Sequence, residues 1–113
     1  MTRTETSQIR SEYPSPWMVL TRNESLGYII DALLDLAPHR ECNKTELAEL
    51  AGVSRNSVGT HVELLLTLGI VEPVEGTSPT RYRFDPDSGV SRALVELEGA
   101  VNDAVEAKQE QPA

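Results

Sequence analysis

The sequence predicts a mainly α-helical fold with a small β-hairpin wing in its second half and a long C-terminal helix. Apolar residues recur at helical spacing in three segments before residue 69. The spacing changes to that of short strands between residues 70 and 85, and helical spacing then returns. A chain of 113 residues is long enough for one core and too short for two.

The N-terminal region divides into a polar arm and a first amphipathic helix. Residues 1–20 contain two prolines and end in the apolar patch WMVL. This composition predicts a flexible arm whose patch packs on the domain or across a dimer seam. Thr21 and Glu24 have the T-x-x-E spacing of a capping box, which opens the helix. Its apolar positions are Leu26, Ile29, Ile30, Leu33 and Ala37, and Pro38 ends it.

Two helices joined by a tight turn follow. Asn43 and Glu46 form a second capping box, and Gly52 ends this helix in the turn GVS. Ser54 caps the next helix, which covers residues 55–68 approximately. Two helices joined by a short turn that contains glycine are the helix-turn-helix pattern, in which the second helix enters the major groove of DNA. The positions of that helix predicted to face inward are Val58, Val62 and Leu65.

The next segment predicts a hairpin. Residues 70–74 and 81–85 read as short strands on either side of the polar stretch EGTSPT, which places a wing at residues 74–83 approximately. Arg81 and Arg83 alternate with aromatic residues, so their side chains share one face of the hairpin. Their positive charge suits a minor groove or a phosphate backbone. Pairing with glutamates across the hairpin is the alternative.

The chain ends in a predicted helix over residues 86–108 and a predicted disordered tail over residues 109–113. Apolar residues in this helix step by four, three and four positions, the a/d spacing of a coiled-coil seam. The seam predicts a homodimer, and packing against the chain's own core is the alternative. The predicted dimer contacts are Val90, Leu94, Leu97 and Val101.

The outward face of the second helix of the pair carries side chains suited to reading base edges. At about 100° per residue, Asn56, Ser57 and Thr60 project outward from its first turns. Asparagine makes two hydrogen bonds to adenine, and serine and threonine bond several base edges or phosphate. Neighbouring helix ends and the wing complete the predicted DNA-binding set: Lys44, Thr45, Ser54, Arg55, Asn56, Ser57, Thr60, His61, Arg81 and Arg83.

The chain is acidic, with 10 Lys plus Arg against 18 Asp plus Glu and a net charge of −8. Residues 43–83 hold four basic and five acidic residues, a net −1, whereas residues 84–113 hold two and seven, a net −5. Acidity is therefore concentrated away from the predicted DNA-binding face. Only two of the basic residues are lysines. This composition predicts a protein adapted to concentrated salt, where the Debye length is about 3 Å; an ordinary acidic mesophilic protein is the alternative.

The segment ELAELAGVSRNSVGTHVELLLTLGIV, about a quarter of the chain, resembles the helix-turn-helix of small archaeal and bacterial transcriptional regulators of the MarR and ArsR kind. The segments PWM and ALVELEGAVNDAV are similar to those of haloarchaeal members in particular. The resemblance implies that residues 21–85 are a winged helix-turn-helix domain of a sequence-specific transcriptional regulator that binds double-stranded DNA. A winged-helix adaptor that binds another protein and no DNA is the alternative.

The sequence lacks the residues that enzymes and metal-binding proteins need. The sequence shows no catalytic carboxylate pair, glycine-rich phosphate loop or Ser-His-Asp order, which predicts that the protein is not an enzyme and uses no cofactor. His39 and Cys42 are too few for a structural zinc site, so no metal is predicted. A sensor based on Cys42 is a minor alternative. The sequence identifies no small-molecule effector.

Composition also predicts where the protein works. No apolar run approaches the roughly 18 residues of a membrane span. The polar N-terminus has no secretion signal. The single cysteine cannot form a disulfide within the chain, which is typical of proteins in a reducing compartment. These features predict a cytoplasmic location.

Overall fold

The computed structural model describes residues 15–110 of the chain. It confirms a mainly helical fold with a small antiparallel sheet. In chain order the elements are α1 (Pro16–Thr21), α2 (Glu24–Leu34), β1 (Glu41–Cys42), α3 (Lys44–Ala51), α4 (Arg55–Thr67), β2 (Val71–Val74), β3 (Arg81–Phe84) and α5 (Gly89–Glu110).

The apolar WMVL patch belongs to the short helix α1 and packs on the domain, as one of the two predicted roles has it, whereas the prediction of a flexible arm is wrong for this segment. Ser15 caps α1 by accepting a hydrogen bond from the Met18 amide at 3.3 Å, and Pro16 stands at its first position. Val19 is buried where α1 packs against α2. The rest of the predicted arm, residues 1–14, lies outside the described residues.

The predicted capping box at Thr21 and Glu24 is also wrong. Thr21 is the last residue of α1, and its hydroxyl donates a hydrogen bond to the Trp17 carbonyl at 2.6 Å. Asn23 takes the N-cap position of α2 instead, without a side-chain hydrogen bond. Because Thr21 is part of α1, it cannot also be the N-cap of α2, which begins three residues later.

The core lies between α2, the helix pair α3–α4 and the sheet. The inward positions predicted for α4 are buried, as are those predicted within α2. Helix α2 ends at Leu34, so Ala37 is exposed in the loop beyond it. The buried cluster consists of Leu26, Ile29, Ile30, Leu33, Cys42, Leu47, Ala48, Val58, Val62, Leu65, Ile70, Val71 and Tyr82.

The α3–α4 pair has the predicted local geometry. The Asn43 side chain accepts from the Glu46 amide at 2.8 Å, and the Glu46 carboxylate accepts from the Asn43 amide at 3.1 Å, so the capping box is complete. Gly52 ends α3 with φ 71°, a left-handed conformation that glycine adopts without steric cost. Ser54 caps α4 by accepting from the Ser57 amide at 3.1 Å.

Replacing Asn43 with alanine is expected to lower the free energy of unfolding by about 1 kcal/mol, because the amide of Glu46 loses its acceptor. Urea denaturation followed by circular dichroism measures this change. Asn43→Asp keeps an acceptor at the cap and should preserve most of the stability. Equal losses for both variants would contradict the capping role.

In the described part of the chain the sheet has three strands in the order β1-β3-β2, all antiparallel. Strand β3 is central: Arg83 lies opposite Glu41 of β1 on one side and Glu72 of β2 on the other. Strand β1 was not predicted, because two residues are too few to show an alternating pattern. It connects the wing to the segment that leads into α3.

Within residues 15–110, helix α5 packs on the domain through its N-terminal end. Gly69 closes α4 with φ 76°, and a Cβ there would lie 3.1 Å from the Cβ of Ser88, just before α5. Val90 and Leu94 pack against the core. The helix extends to Glu110, so the prediction of a tail from residue 109 is wrong for its first two residues, and residues 111–113 lie outside the described part.

Candidate nucleic-acid interface

The exposed face at the start of α4 contains the side chains predicted to read bases. Asn56 and Thr60 are exposed, and Ser57 is half-buried, on the side opposite the buried valines and leucine of this helix. Ser54 caps α4, and the helix backbone therefore sets the direction in which these side chains leave it.

These three residues differ in whether their side chains are already hydrogen-bonded within the protein. The Thr60 hydroxyl donates to the Asn56 carbonyl at 2.9 Å, and the Ser57 hydroxyl lies 3.0 Å from that of Ser54. The side-chain amide of Asn56 makes no hydrogen bond within residues 15–110. Asn56 therefore presents a donor and an acceptor to solvent, the pair that matches the edge of adenine.

A cleft of about 120 Å³ lies beside this face, between the N-terminal turn of α3, the first turn of α4 and the wing. Lys44 and Arg55 line it, and neither has a carboxylate partner among residues 15–110. Arg55 donates through Nε to the Thr45 hydroxyl at 3.2 Å, which leaves its terminal nitrogens available. The remaining lining residues are Asn43, Thr45, Pro79, Thr80 and Tyr82.

The wing arginines, which the sequence predicts to approach DNA, are engaged in ion pairs within the protein. Arg83 pairs with Glu72 across the hairpin, with Nη2 2.8 Å from Oε1, and lies 4.0 Å from a carboxylate oxygen of Glu41. Arg81 pairs with Glu46 of α3 at 2.9 Å. The glutamate pairing left open as an alternative is thus present for Arg83, and Arg81 pairs with a helix outside the hairpin.

His61 does not belong to the exposed face, so its prediction as a DNA contact is corrected. The residue is 7% exposed, and its Nε2 lies 3.0 Å from the hydroxyl of Ser25 on α2. His61 is three residues after Val58 and four before Leu65, which is the spacing of the buried stripe. Burial lowers the pKa of the imidazole because the charged form loses its hydration.

Stability is expected to fall as the pH drops below about 6.5, the ordinary pKa of histidine. The unfolded chain then binds a proton at His61 that the folded protein disfavours, so the free energy of unfolding decreases with falling pH. Urea denaturation at a series of pH values between about 7.5 and 5.5 measures the slope. His61→Gln should reduce it, whereas His39→Gln, at an exposed histidine, should leave it unchanged. Equal slopes in all three proteins would contradict this assignment.

The residues predicted for a dimer seam separate into two groups. Val90 and Leu94 are partly buried against the protein's own core, so packing against the core, the alternative to the dimer seam, is present for these two residues. Leu97 and Val101 lie beyond the domain and are 45% and 51% exposed, and Val105 continues the same stripe. The second half of α5 therefore has an apolar face that no part of residues 15–110 covers.

Other candidate sites carry little chemistry. Cys42 is buried in β1, and burial raises the pKa of its thiol although Arg40 opposes the shift, so the reactive thiolate is disfavoured. Within residues 15–110 no three His, Cys, Asp or Glu side chains are grouped to hold a metal ion. No helix in that part of the chain has the length and hydrophobicity of a membrane span.

The arrangement is similar to that of a solved structure, a MarR family transcriptional regulator from Silicibacter pomeroyi DSS-3. The two match with a TM-score of 0.54 and 20% sequence identity, over 94% of this chain and 73% of that one. At this identity the likeness shows the fold, a winged helix-turn-helix with α3–α4 as the helix pair. No protein-family model matches the chain, and no curated protein sequence matches it significantly.

Proposed function

We propose that the protein is a sequence-specific transcriptional regulator that binds double-stranded DNA through α4. The observation that carries this proposal is the exposed Asn56 amide beside a cleft with two basic side chains that lack carboxylate partners among the described residues. A recognition helix needs both features together, since base-edge contacts give specificity and phosphate contacts fix its register. The likeness to a transcriptional regulator agrees with this reading at the level of the fold.

In the proposed complex, the first turns of α4 enter the major groove. Asn56 reads a base edge, and Thr60, whose hydroxyl hydrogen is used by the Asn56 carbonyl, offers a methyl group and an acceptor. Lys44 and Arg55 bind the backbone at the cleft. The wing approaches the minor groove or the backbone through the polar residues of its tip, because the two arginines of β3 are paired.

The regulator is proposed to act as a homodimer joined by the second half of α5. A two-fold pair presents two α4 helices to half-sites about 34–36 Å apart, one turn of the duplex. Such an arrangement predicts a two-fold symmetric DNA motif. Leu97 and Val101 are the proposed central contacts, because they are exposed in the single chain.

The acidic surface supports the further proposal that binding occurs in concentrated salt. With Lys44 and Arg55 as the basic groups at the cleft, few counterions are released from DNA, and exposed acids such as Glu49 and Glu63 need screening. Affinity is expected to stay level or rise as KCl increases from about 0.5 M to about 2 M. Fluorescence anisotropy, with circular dichroism to verify folding, measures it. A folded protein that loses tenfold or more in affinity would contradict this proposal.

Immunoprecipitation of the tagged protein from cross-linked cells, followed by sequencing, tests the proposed function. Discrete genomic segments upstream of genes, sharing a symmetric motif, are the expected result. The matched control is an Asn56→Ala protein expressed at the same level, which should lose most of these segments. Recovery of DNA no greater than from untagged cells would contradict DNA binding and favour the protein-binding adaptor.

A further inference from the structure

The wing is joined to the N-terminal turn of α3 through Arg81, the first residue of β3 after the tip. One terminal nitrogen, Nη2, lies 2.9 Å from the Glu46 carboxylate and donates to the Glu41 carbonyl at 2.9 Å. The Nε atom lies 3.8 Å from the Glu41 carboxylate. The guanidinium therefore contacts β1 and α3 on the protein side. We call the three residues Arg81, Glu41 and Glu46 the wing latch.

We infer that Arg81 is a positioning residue that sets the wing wall of the cleft and makes no contact with DNA itself. The inference rests on the proposed DNA-binding function. It departs from the sequence prediction, in which Arg81 approached the minor groove or the backbone.

The latch is coupled to the cleft on two sides. Pro79 and Thr80, which line the cleft, directly precede Arg81 in the chain. On the other side, the Glu46 oxygen that pairs with Arg81 also accepts from the Asn43 amide in the capping box, next to Lys44. One carboxylate oxygen of Glu46 thus contacts Arg81, next to the wing wall of the cleft, and Asn43, next to Lys44 on the opposite wall. The width of the cleft therefore depends on the ion pair between Arg81 and Glu46.

The backbone of the hairpin strengthens this connection. The Arg81 amide donates to the Thr77 hydroxyl at 2.9 Å, and that hydroxyl donates to the Val74 carbonyl at 2.7 Å. The turn is therefore tied to the same residue as the latch. Movement of Arg81 away from Glu46 would move the wing tip relative to Arg55.

Two roles for Arg81 predict effects of opposite sign at Glu46. If Arg81 contacts phosphate, Glu46 competes for it and repels DNA, so Glu46→Gln should strengthen binding. If Arg81 positions the wing, the same change weakens the latch and should weaken binding. Glutamine keeps an oxygen for the Asn43 amide, so the cap of α3 is retained.

The test measures affinity for the preferred duplex, and its dependence on salt, for Glu46→Gln, Arg81→Gln and the double variant. Each single change should weaken binding by about tenfold, and the double variant should be no weaker than Arg81→Gln alone, because paired residues are not additive. The logarithmic salt slope should match the parent's in every case, since no phosphate contact is lost. Glu49→Gln, an exposed acid on the same helix, is the control for charge and should bind as well as the parent or better.

Three results would overturn the inference. Tighter binding by Glu46→Gln than by the parent is one, and a change of about 0.9 in the salt slope of Arg81→Gln, the signature of one phosphate contact, is another. Additive losses in the double variant are the third. A parent protein that binds no duplex would overturn the proposed function and the role of Arg81 with it. Circular dichroism verifies that each variant is folded.

Discussion

Leu97→Asp is expected to convert a dimer of this protein into monomers. Leu97 is 45% exposed in the single chain, so an aspartate there hydrates freely in the monomer and leaves the fold intact. In the proposed dimer the same carboxylate would be buried without a partner, at a cost of roughly 3 kcal/mol or more. That cost raises the dissociation constant of the dimer by about a hundredfold or more.

Light scattering in concentrated salt measures the change in mass. Val95→Asp is the matched control, because Val95 is 50% exposed on the same helix but projects about 160° away from Leu97. The control should remain dimeric. A parent that is itself monomeric, or a control that dissociates like the Leu97 variant, would contradict the proposed seam.

Asn56→Ala is expected to weaken binding to the preferred duplex by about 1–3 kcal/mol, or roughly fivefold to 150-fold. The Asn56 amide makes no hydrogen bond within the described residues, so its removal leaves the folded protein unchanged while two contacts to a base are lost. Discrimination should relax at one base pair of each half-site. Binding to unrelated duplexes should change little, because phosphate contacts are retained.

Anisotropy titrations with duplexes altered at single positions measure this effect. Thr67→Ala is the control, since Thr67 is exposed at the far end of the same helix. It should bind and discriminate like the parent. An Asn56 variant that also discriminates like the parent would show that the reading face lies elsewhere.

Features set by neighbouring residues were predictable from the sequence. The capping box of Asn43 and Glu46, the turn at Gly52 and the buried stripe of α4 each depend on spacing within a few residues. The same rule failed for Thr21, where two local patterns compete. Ser15 followed by Pro16 is also a helix start, and α1 formed there left Thr21 at its end.

Features set by distant contacts were not predictable. The sequence shows the charge of Arg81 and Arg83 but not that Glu41, some forty residues earlier, lies beside both of them through β1. That strand has two residues and no pattern of its own. His61 is different, because its position in the stripe between Val58 and Leu65 was visible in the spacing. Its polarity suggested an exposed contact, but the Ser25 hydroxyl satisfies the imidazole inside the protein.

The proposed function depends on sequence-specific recognition of DNA by α4. Its most direct test is the ratio of affinities for the genomic motif and for a shuffled duplex of the same composition, measured by anisotropy at one fixed high salt concentration. We expect the parent to prefer the motif by about a thousandfold or more, the lower end for specific DNA-binding proteins, and we expect Asn56→Ala to lower the ratio. A ratio near one for the folded parent would contradict it.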